Sequence, residues 1–121
     1  MDENRPRLIV EAKLGDADDF RSVYPDFWAK VSDFEQFGED EWGFLVVFGG
    51  RYDKTVQEDD LMDFLVENHI ELSYLRANYG AQLAAELYIS ASHPAGMLAF
   101  EPELLGLCGG LGIRLEITPL E

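Results

Sequence analysis

The last third of the chain constrains the fold most, because it holds two segments in which apolar and polar residues alternate. In Gln82–Ala91 every second residue from Leu83 onward is apolar, and most of the residues between them are polar. Ile113–Thr118 shows the same alternation. A period of two residues is typical of a strand with one buried face. We therefore predict a strand in each segment, with a short helix over Pro102–Cys108 between them.

The first third predicts a strand, a short helix and a hairpin. The strand is predicted over Arg7–Leu14, and Asp16 is placed to cap the helix that follows. This helix should end before Pro25, because the residue preceding a proline avoids the helical region. Phe27–Phe37 and Trp42–Phe48 are predicted to pair as a hairpin around the acidic turn between them. The continuous apolar run of the second segment indicates a strand inside the sheet.

The residue pattern in the middle of the chain predicts a helix. Thr55 and Glu58 have the spacing of a capping box, in which each side chain bonds a free backbone amide of the first turn. Leucines then recur at helical spacing as far as Tyr79, so either one long helix runs through or it breaks near Asn68-His69. Gly80 is well placed to end it.

Together these segments predict a single α+β domain over residues 1–121. We expect a two-layer sandwich, with a mainly antiparallel sheet of four to five strands and two to three helices packed on one face. Residues 1–6 are predicted to be flexible, and Leu120-Glu121 is compatible with a cloning-vector remnant.

The charge balance bears on partners. The chain has 24 acidic and 9 basic residues, a formal net charge of −15. Such a surface repels nucleic acid and anionic membranes and attracts a basic protein, although acidity also serves solubility alone. The longest apolar run, Phe44–Phe48, is too short for a membrane span, and the acidic start at Asp2-Glu3 does not resemble a signal peptide. We expect a cytoplasmic protein.

The order of segments in the second half resembles a known family. Leu72–Tyr79 leads into the alternating strand, and Met97–Phe100, Pro102–Leu105 and Leu111–Ile113 follow in turn. This arrangement resembles the bacterial domain-of-unknown-function family 4279, to which the first half is similar more loosely. Some members are predicted immunity proteins of toxin systems, so the resemblance implies such a role. It carries over no functional residues.

Catalytic groups are sparse. His69 and His93 are the only histidines, and the nearby Ser90 and Ser92 lack the sequence context of an activated nucleophile. Cys108 is predicted to be a buried, unreactive thiol, because a reactive one needs an electropositive setting. The acids at positions 16–19 lack the glycine and distal glutamate of a calcium loop. We therefore predict no enzyme activity, no metal site and no cofactor.

What remains is an acidic binding surface. Asp59, Asp63 and Glu67 fall at i, i+4 and i+8, on a helix edge opposite Leu61 and Leu65. The complete set of predicted partner-binding residues is Glu35, Glu39, Asp40, Glu41, Asp59, Asp63 and Glu67. Four aromatic residues accompany these acids, namely Trp28, Phe34, Phe37 and Tyr52. They are either contacts for a partner or simply core.

The first functional hypothesis is an immunity protein, a monomer or weak dimer that binds and neutralises a cognate toxin domain, for example a basic nuclease. Two alternatives stay open. One is a nucleic-acid mimic that blocks a DNA- or RNA-binding protein. The other is a small-ligand domain, which would require a deep pocket lined by Trp28, Trp42 and His93.

Overall fold

This computed structural model describes residues 5–49, 53–90 and 100–120, which form five strands and five helices. In chain order the elements are β1 (Arg7–Ala12), α1 (Ala17–Val23), α2 (Pro25–Trp28), β2 (Asp33–Gln36), β3 (Trp42–Val47), α3 (Lys54–Glu67), α4 (His69–Tyr79), β4 (Gln82–Ser90), α5 (Pro102–Leu111) and β5 (Ile113–Leu120).

The five strands form one sheet in the order β2-β3-β1-β4-β5. Every neighbouring pair is antiparallel except β4 and β5, which are parallel and are joined through α5. Parallel neighbours need such a crossover, whereas β2 and β3 need only a tight turn. The predicted α+β fold with a mainly antiparallel sheet is confirmed, but five helices are described where two to three were expected.

The helices lie on one face of the sheet, as predicted. In β1 the residues Leu8, Val10 and Ala12 are at most 1% exposed, and they share one apolar core with the buried residues of the helices. The intervening Ile9 is only half-buried and Glu11 is exposed, since both lie on the opposite side of the strand. The side of the sheet opposite the helices, called the bare face below, is covered by no described helix.

The strand predicted over Phe27–Phe37 is wrong in its first half. Pro25 was predicted to end the preceding helix, but it is also the first residue of α2. Its fixed φ suits that position. Phe27 then packs edge-on against Phe44, with ring centroids 5.9 Å apart. Only Asp33–Gln36 forms the strand, and it pairs with β3 as the predicted hairpin.

Several predicted helix ends are confirmed. The Asp16 carboxylate accepts a hydrogen bond from the Asp18 amide at 2.9 Å, and Gly80 ends α4 with a φ of 58°. The break at Asn68 separates α3 from α4. The prediction of a capping box at Thr55 is wrong, because the Asp53 side chain caps α3 by accepting a hydrogen bond from the Val56 amide at 3.1 Å.

Both ends of the described chain are bonded to the sheet, and the cloning-vector origin of Leu120-Glu121 stays a prediction. Arg5 and Pro6 were expected to be flexible, yet the Arg5 guanidinium donates to the Phe48 carbonyl and the Phe48 amide donates to the Pro6 carbonyl, both at 2.8 Å. Residues 1–4 lie outside the described part of the chain. Leu120 pairs with Ser90 as the last residue of β5 and so belongs to the sheet, while Glu121 is not described.

Candidate functional site

The bare face has an apolar middle. Strand pairing aligns Leu45, Ile9 and Ala84 in one row across β3, β1 and β4. Asp33 continues this row at one edge of the sheet, and Arg114 continues it at the other. Leu45 and Ile9 are half-buried although no described helix covers them, so an apolar strip is accessible between polar edges.

A hollow of about 170 Å³ lies at the β2 end of the bare face. It is lined in part by Ile9 and Leu45 and by the side chain of Phe37, which is 55% exposed. Phe37 follows β2 directly, and its amide bonds the Glu41 carbonyl at 2.8 Å across the hairpin turn. Gly43 leaves room for the ring, because a Cβ there would lie 3.0 Å from Phe37 Cε2.

Three carboxylates border the hollow. Glu35 and Glu11 both align with Gly43, one on each side, and Asp33 aligns with Leu45. All three acids are exposed, and none takes part in an ion pair within the described residues. This end of the bare face therefore carries negative charge that the described part of the fold does not neutralise.

The other end of the bare face has mixed charge. The Arg114 guanidinium lies 2.6 Å from the Glu116 carboxylate on β5. The Arg7 guanidinium lies 5.8 Å from the centre of the Tyr88 ring, and the Tyr88 hydroxyl donates to Glu86 at 2.9 Å. One acid and one base are paired here, whereas the three carboxylates around the hollow take part in no ion pair within the described residues.

The structure divides the predicted partner-binding residues between two places. Glu35 lies on the bare face, and the three acids of positions 39–41 are exposed in the adjoining turn, where Glu41 lies 3.7 Å from Lys13. Asp59, Asp63 and Glu67 are exposed on α3, which packs on the opposite face of the sheet. The seven acids therefore do not form one continuous surface.

On α3 the acids and the leucines lie on opposite sides of the helix, as predicted. The opposing residues Leu61 and Leu65 are fully buried. Beside the acidic edge, α3 and α5 enclose a shallow groove, called the α3–α5 groove below. Its lining residues are Met62, Asp63, Val66, Glu67, Glu103 and Leu107.

The aromatic residues named with these acids have different places. Trp28 is half-buried and packs on Phe34, with ring centroids 5.5 Å apart, on the helical side of the sheet. Trp42 is fully buried, so it cannot form a wall of an open ligand pocket. Phe37 is the member of the set that faces solvent on the bare face. Tyr52 and His93 lie outside the described residues.

The described residues contain few candidates for a reactive side chain or a metal ligand. Cys108 is buried, as predicted, and burial raises the pKa of its thiol, which keeps it protonated and unreactive at neutral pH. His69 begins α4 and is exposed. Over residues 5–49, 53–90 and 100–120, no group of three or more histidine, cysteine or acidic side chains could hold a metal ion.

Seven of the ten residues that line the hollow were not predicted from the sequence, namely Ile9, Val10, Glu11, Asp33, Gly43, Phe44 and Leu45. One signal was present, because Ile9 and Glu11 alternate with the buried residues of β1. An apolar residue on the polar side of a strand is a sign of a partly covered surface. The neighbours of these residues across the sheet follow from strand order and register, which the local pattern does not contain.

No family model, no curated protein and no solved structure matches the chain. The resemblance to family 4279 therefore stays a prediction.

None of the helices in the described residues combines the length and the apolar character that crossing a membrane requires.

Proposed function

We propose that this protein is a non-catalytic binding protein whose bare face holds a basic protein partner, and that the partner is a toxin domain which it neutralises. The observation that carries the proposal is the hollow: an accessible apolar strip ends among three carboxylates that have no basic partner within the described residues. Each part of the hollow corresponds to a property of the partner.

The apolar residues of the hollow are suited to form the centre of a protein–protein interface. Interfaces are organised around a few side chains, often aromatic, that become fully desolvated on binding. Phe37 is a large aromatic residue with 55% of its surface exposed, and it lies beside the half-buried Ile9 and Leu45. Burying a fully exposed side chain of this size yields about 1.5–3 kcal/mol, and Phe37 has about half of that still to gain. A partner that covers this strip would therefore gain affinity from a small area.

The acidic part fits an arginine or lysine side chain. Such a side chain can lay its aliphatic stem on Ile9 and Leu45 while its charged head meets Glu11, Asp33 and Glu35. Hydrogen bonds to an ionised carboxylate are about twice as strong as neutral ones, and arginine can make two in parallel. The net charge of −15 would also accelerate the encounter with a basic partner.

The toxin role rests on the resemblance to family 4279 together with this charge complementarity. A nuclease is one suitable target, because an enzyme that grips phosphates carries a basic surface. A binding role also agrees with the chemistry of the described residues, in which the thiol of Cys108 is buried and protonated. Neutralisation then requires only that the protein cover the basic surface of the toxin.

The experiment combines the protein with the product of the adjacent gene and measures the dissociation constant by calorimetry. The test variant is Glu11→Lys with Glu35→Lys. The control is Asp18→Lys with Asp26→Lys, which makes the same change in net charge at two exposed helical sites. We expect the test variant to bind at least about a hundredfold more weakly, roughly 2.7 kcal/mol, and the control to bind within a few-fold of wild type.

Two outcomes would contradict the proposal. The first is the absence of a complex at micromolar concentration. The second is an equal loss of affinity in both variants, combined with displacement of the target by duplex DNA. That pattern would indicate a nucleic-acid mimic, for which total charge matters more than the apolar strip.

A further inference from the structure

The α3–α5 groove has an apolar floor that is open to solvent. Val66 is 65% exposed, and Met62 and Leu107 are half-buried. Leu104 and Leu65 are fully buried in the core that joins the two helices. The two walls are therefore fixed by packing, so the groove exists before any partner arrives. Because Val66 is mostly exposed, its side chain contributes little buried apolar surface to the stability of the fold.

Acids line both walls. Asp63 and Glu67 lie one turn apart on α3, and Glu103 lies on α5. Glu103 has a local role, because an acid in the first turn of a helix interacts favourably with the helix dipole. Asp63 and Glu67 have no such role, and like charges at this spacing repel each other. Lys30 offsets Glu67 in part, at 3.4 Å.

We propose that the α3–α5 groove binds a basic amphipathic helix from a partner protein. Apolar residues one turn apart would insert beside Val66 and Leu107, and lysine or arginine residues on both sides of that stripe would meet Asp63, Glu67 and Glu103. Both walls are helices, so they offer no free strand edge with which an extended peptide could pair. A second copy of this chain is a poor occupant, because each copy carries a net charge of −15.

This surface is separate from the hollow. The α3–α5 groove belongs to the helical layer, whereas the hollow lies on the opposite side of the sheet. The groove can therefore hold a helix of the same partner or of a different protein while the bare face is occupied. Loss of binding at one surface leaves the other measurable.

The test uses a labelled 18-residue peptide of leucine and lysine with leucines at helical spacing, and a scrambled peptide of identical composition that has no apolar stripe. Binding is measured by fluorescence anisotropy in 150 mM NaCl. We expect the amphipathic peptide to bind at least about tenfold more tightly than the scrambled one, a difference of roughly 1.4 kcal/mol. Equal binding of the two peptides, or no binding, would overturn the proposal, because either result would leave only non-specific attraction or none.

Two variants locate the site. In Val66→Lys the preference for the amphipathic peptide should disappear, because the new ammonium group would repel the basic helix, while the folded state is kept because Val66 is 65% exposed. The matched control, Glu11→Gln with Glu35→Gln on the bare face, should keep the preference. If the control loses it and the groove variant keeps it, the helix binds to the bare face and the proposal is wrong. The peptide replaces the toxin here, so failure of the immunity role would not affect this result.

Discussion

At the scale of single residues, Gln57 is a buried polar side chain that supports the sheet. It is 1% exposed, its Nε2 donates to the Tyr88 carbonyl at 2.6 Å, and its Oε1 accepts from the Tyr88 amide at 2.8 Å. Strand β1 begins at Arg7, opposite Glu86, so its ladder does not reach Tyr88. The Gln57 amide makes the two hydrogen bonds that a further strand residue would have made.

Replacing Gln57 should therefore destabilise the end of β4. In Gln57→Ala a buried amide and a buried carbonyl lose their partner, and each unsatisfied group costs about 1–3 kcal/mol. We expect the free energy of unfolding in urea to fall by about 2–4 kcal/mol. Gln82→Ala, at an exposed position on the same strand, should change it by less than about 0.5 kcal/mol. Equal values for the two variants would show that Tyr88 is held by other contacts.

Residue roles could be predicted from sequence where the partner is close in the chain. Asp16 and Gly80 were predicted correctly because a helix cap bonds within a few residues of itself. Glu58 was misread as part of a capping box. It is instead 3% exposed and accepts hydrogen bonds from the Glu101 amide at 2.8 Å and from the Lys54 ammonium at 2.6 Å. An interaction across 43 residues leaves no local pattern in the sequence.

At the scale of elements, β3 determines the shape of the bare face. Gly43 lies between Glu35 of β2 and Glu11 of β1. A Cβ at this position would lie 2.8 Å from the Val10 carbonyl oxygen and 3.0 Å from the ring of Phe37. The backbone oxygen cannot yield without a shift of β1. The glycine therefore lets the sheet close tightly and lets Phe37 lie across it.

Gly43→Ala should disturb both the sheet and the hollow. We expect a loss of about 1–3 kcal/mol in the free energy of unfolding, the usual range for an added methyl group in a tightly packed place. Partner binding should weaken as well, because Phe37 must move. Gly109→Ala is the control, since nothing lies within 4 Å of a Cβ there and alanine favours helix by up to about 1 kcal/mol. A stability change of the same sign and size in both variants would contradict this account.

Elements with a clear period could be predicted, and their arrangement could not. The alternation in β4 and β5 is local, so both strands were found. Pro25 was interpreted as a stop although it is also a favoured first residue of a helix, and this error merged α2 with the following strand. The hollow depends on β1 lying between β3 and β4, and no single segment contains that order.

At the scale of the whole molecule, negative charge works against the folded state. The acids are distributed over the bare face and the helical layer, so folding brings like charges together from every side. Ion pairs compensate little of this. Apart from Lys54 with Glu58, each described pair has a basic side chain that is at least 38% exposed, and such pairs contribute at most about 1 kcal/mol.

Salt should therefore stabilise the protein. Raising NaCl from 10 mM to 1 M shortens the screening length from about 30 Å to about 3 Å, which suppresses repulsion across the molecule. We expect the urea midpoint to rise over this range. The rise should be smaller for Asp26→Lys with Asp59→Lys, in which two reversals change the net charge from −15 to −11. A midpoint that falls with salt would mean that the ion pairs outweigh the repulsion.

The fold class and the acidity could be predicted because both follow from composition and pattern over the whole chain. The partner surface could not, since it arises where distant strands meet.

The central place of β1 also affects how the protein is made. Its neighbours β3 and β4 begin at Trp42 and Gln82, 35 and 75 residues after Arg7. At the usual pace of translation, about 5–20 residues per second, Leu8 and Val10 wait roughly 4–15 seconds before β4 begins to be made. During that interval β3 is already available to pair with β1, but the edge of β1 that will meet β4 has no partner strand. We expect the acids that follow β1, which are already part of the nascent chain, to oppose its association with neighbouring chains by like-charge repulsion.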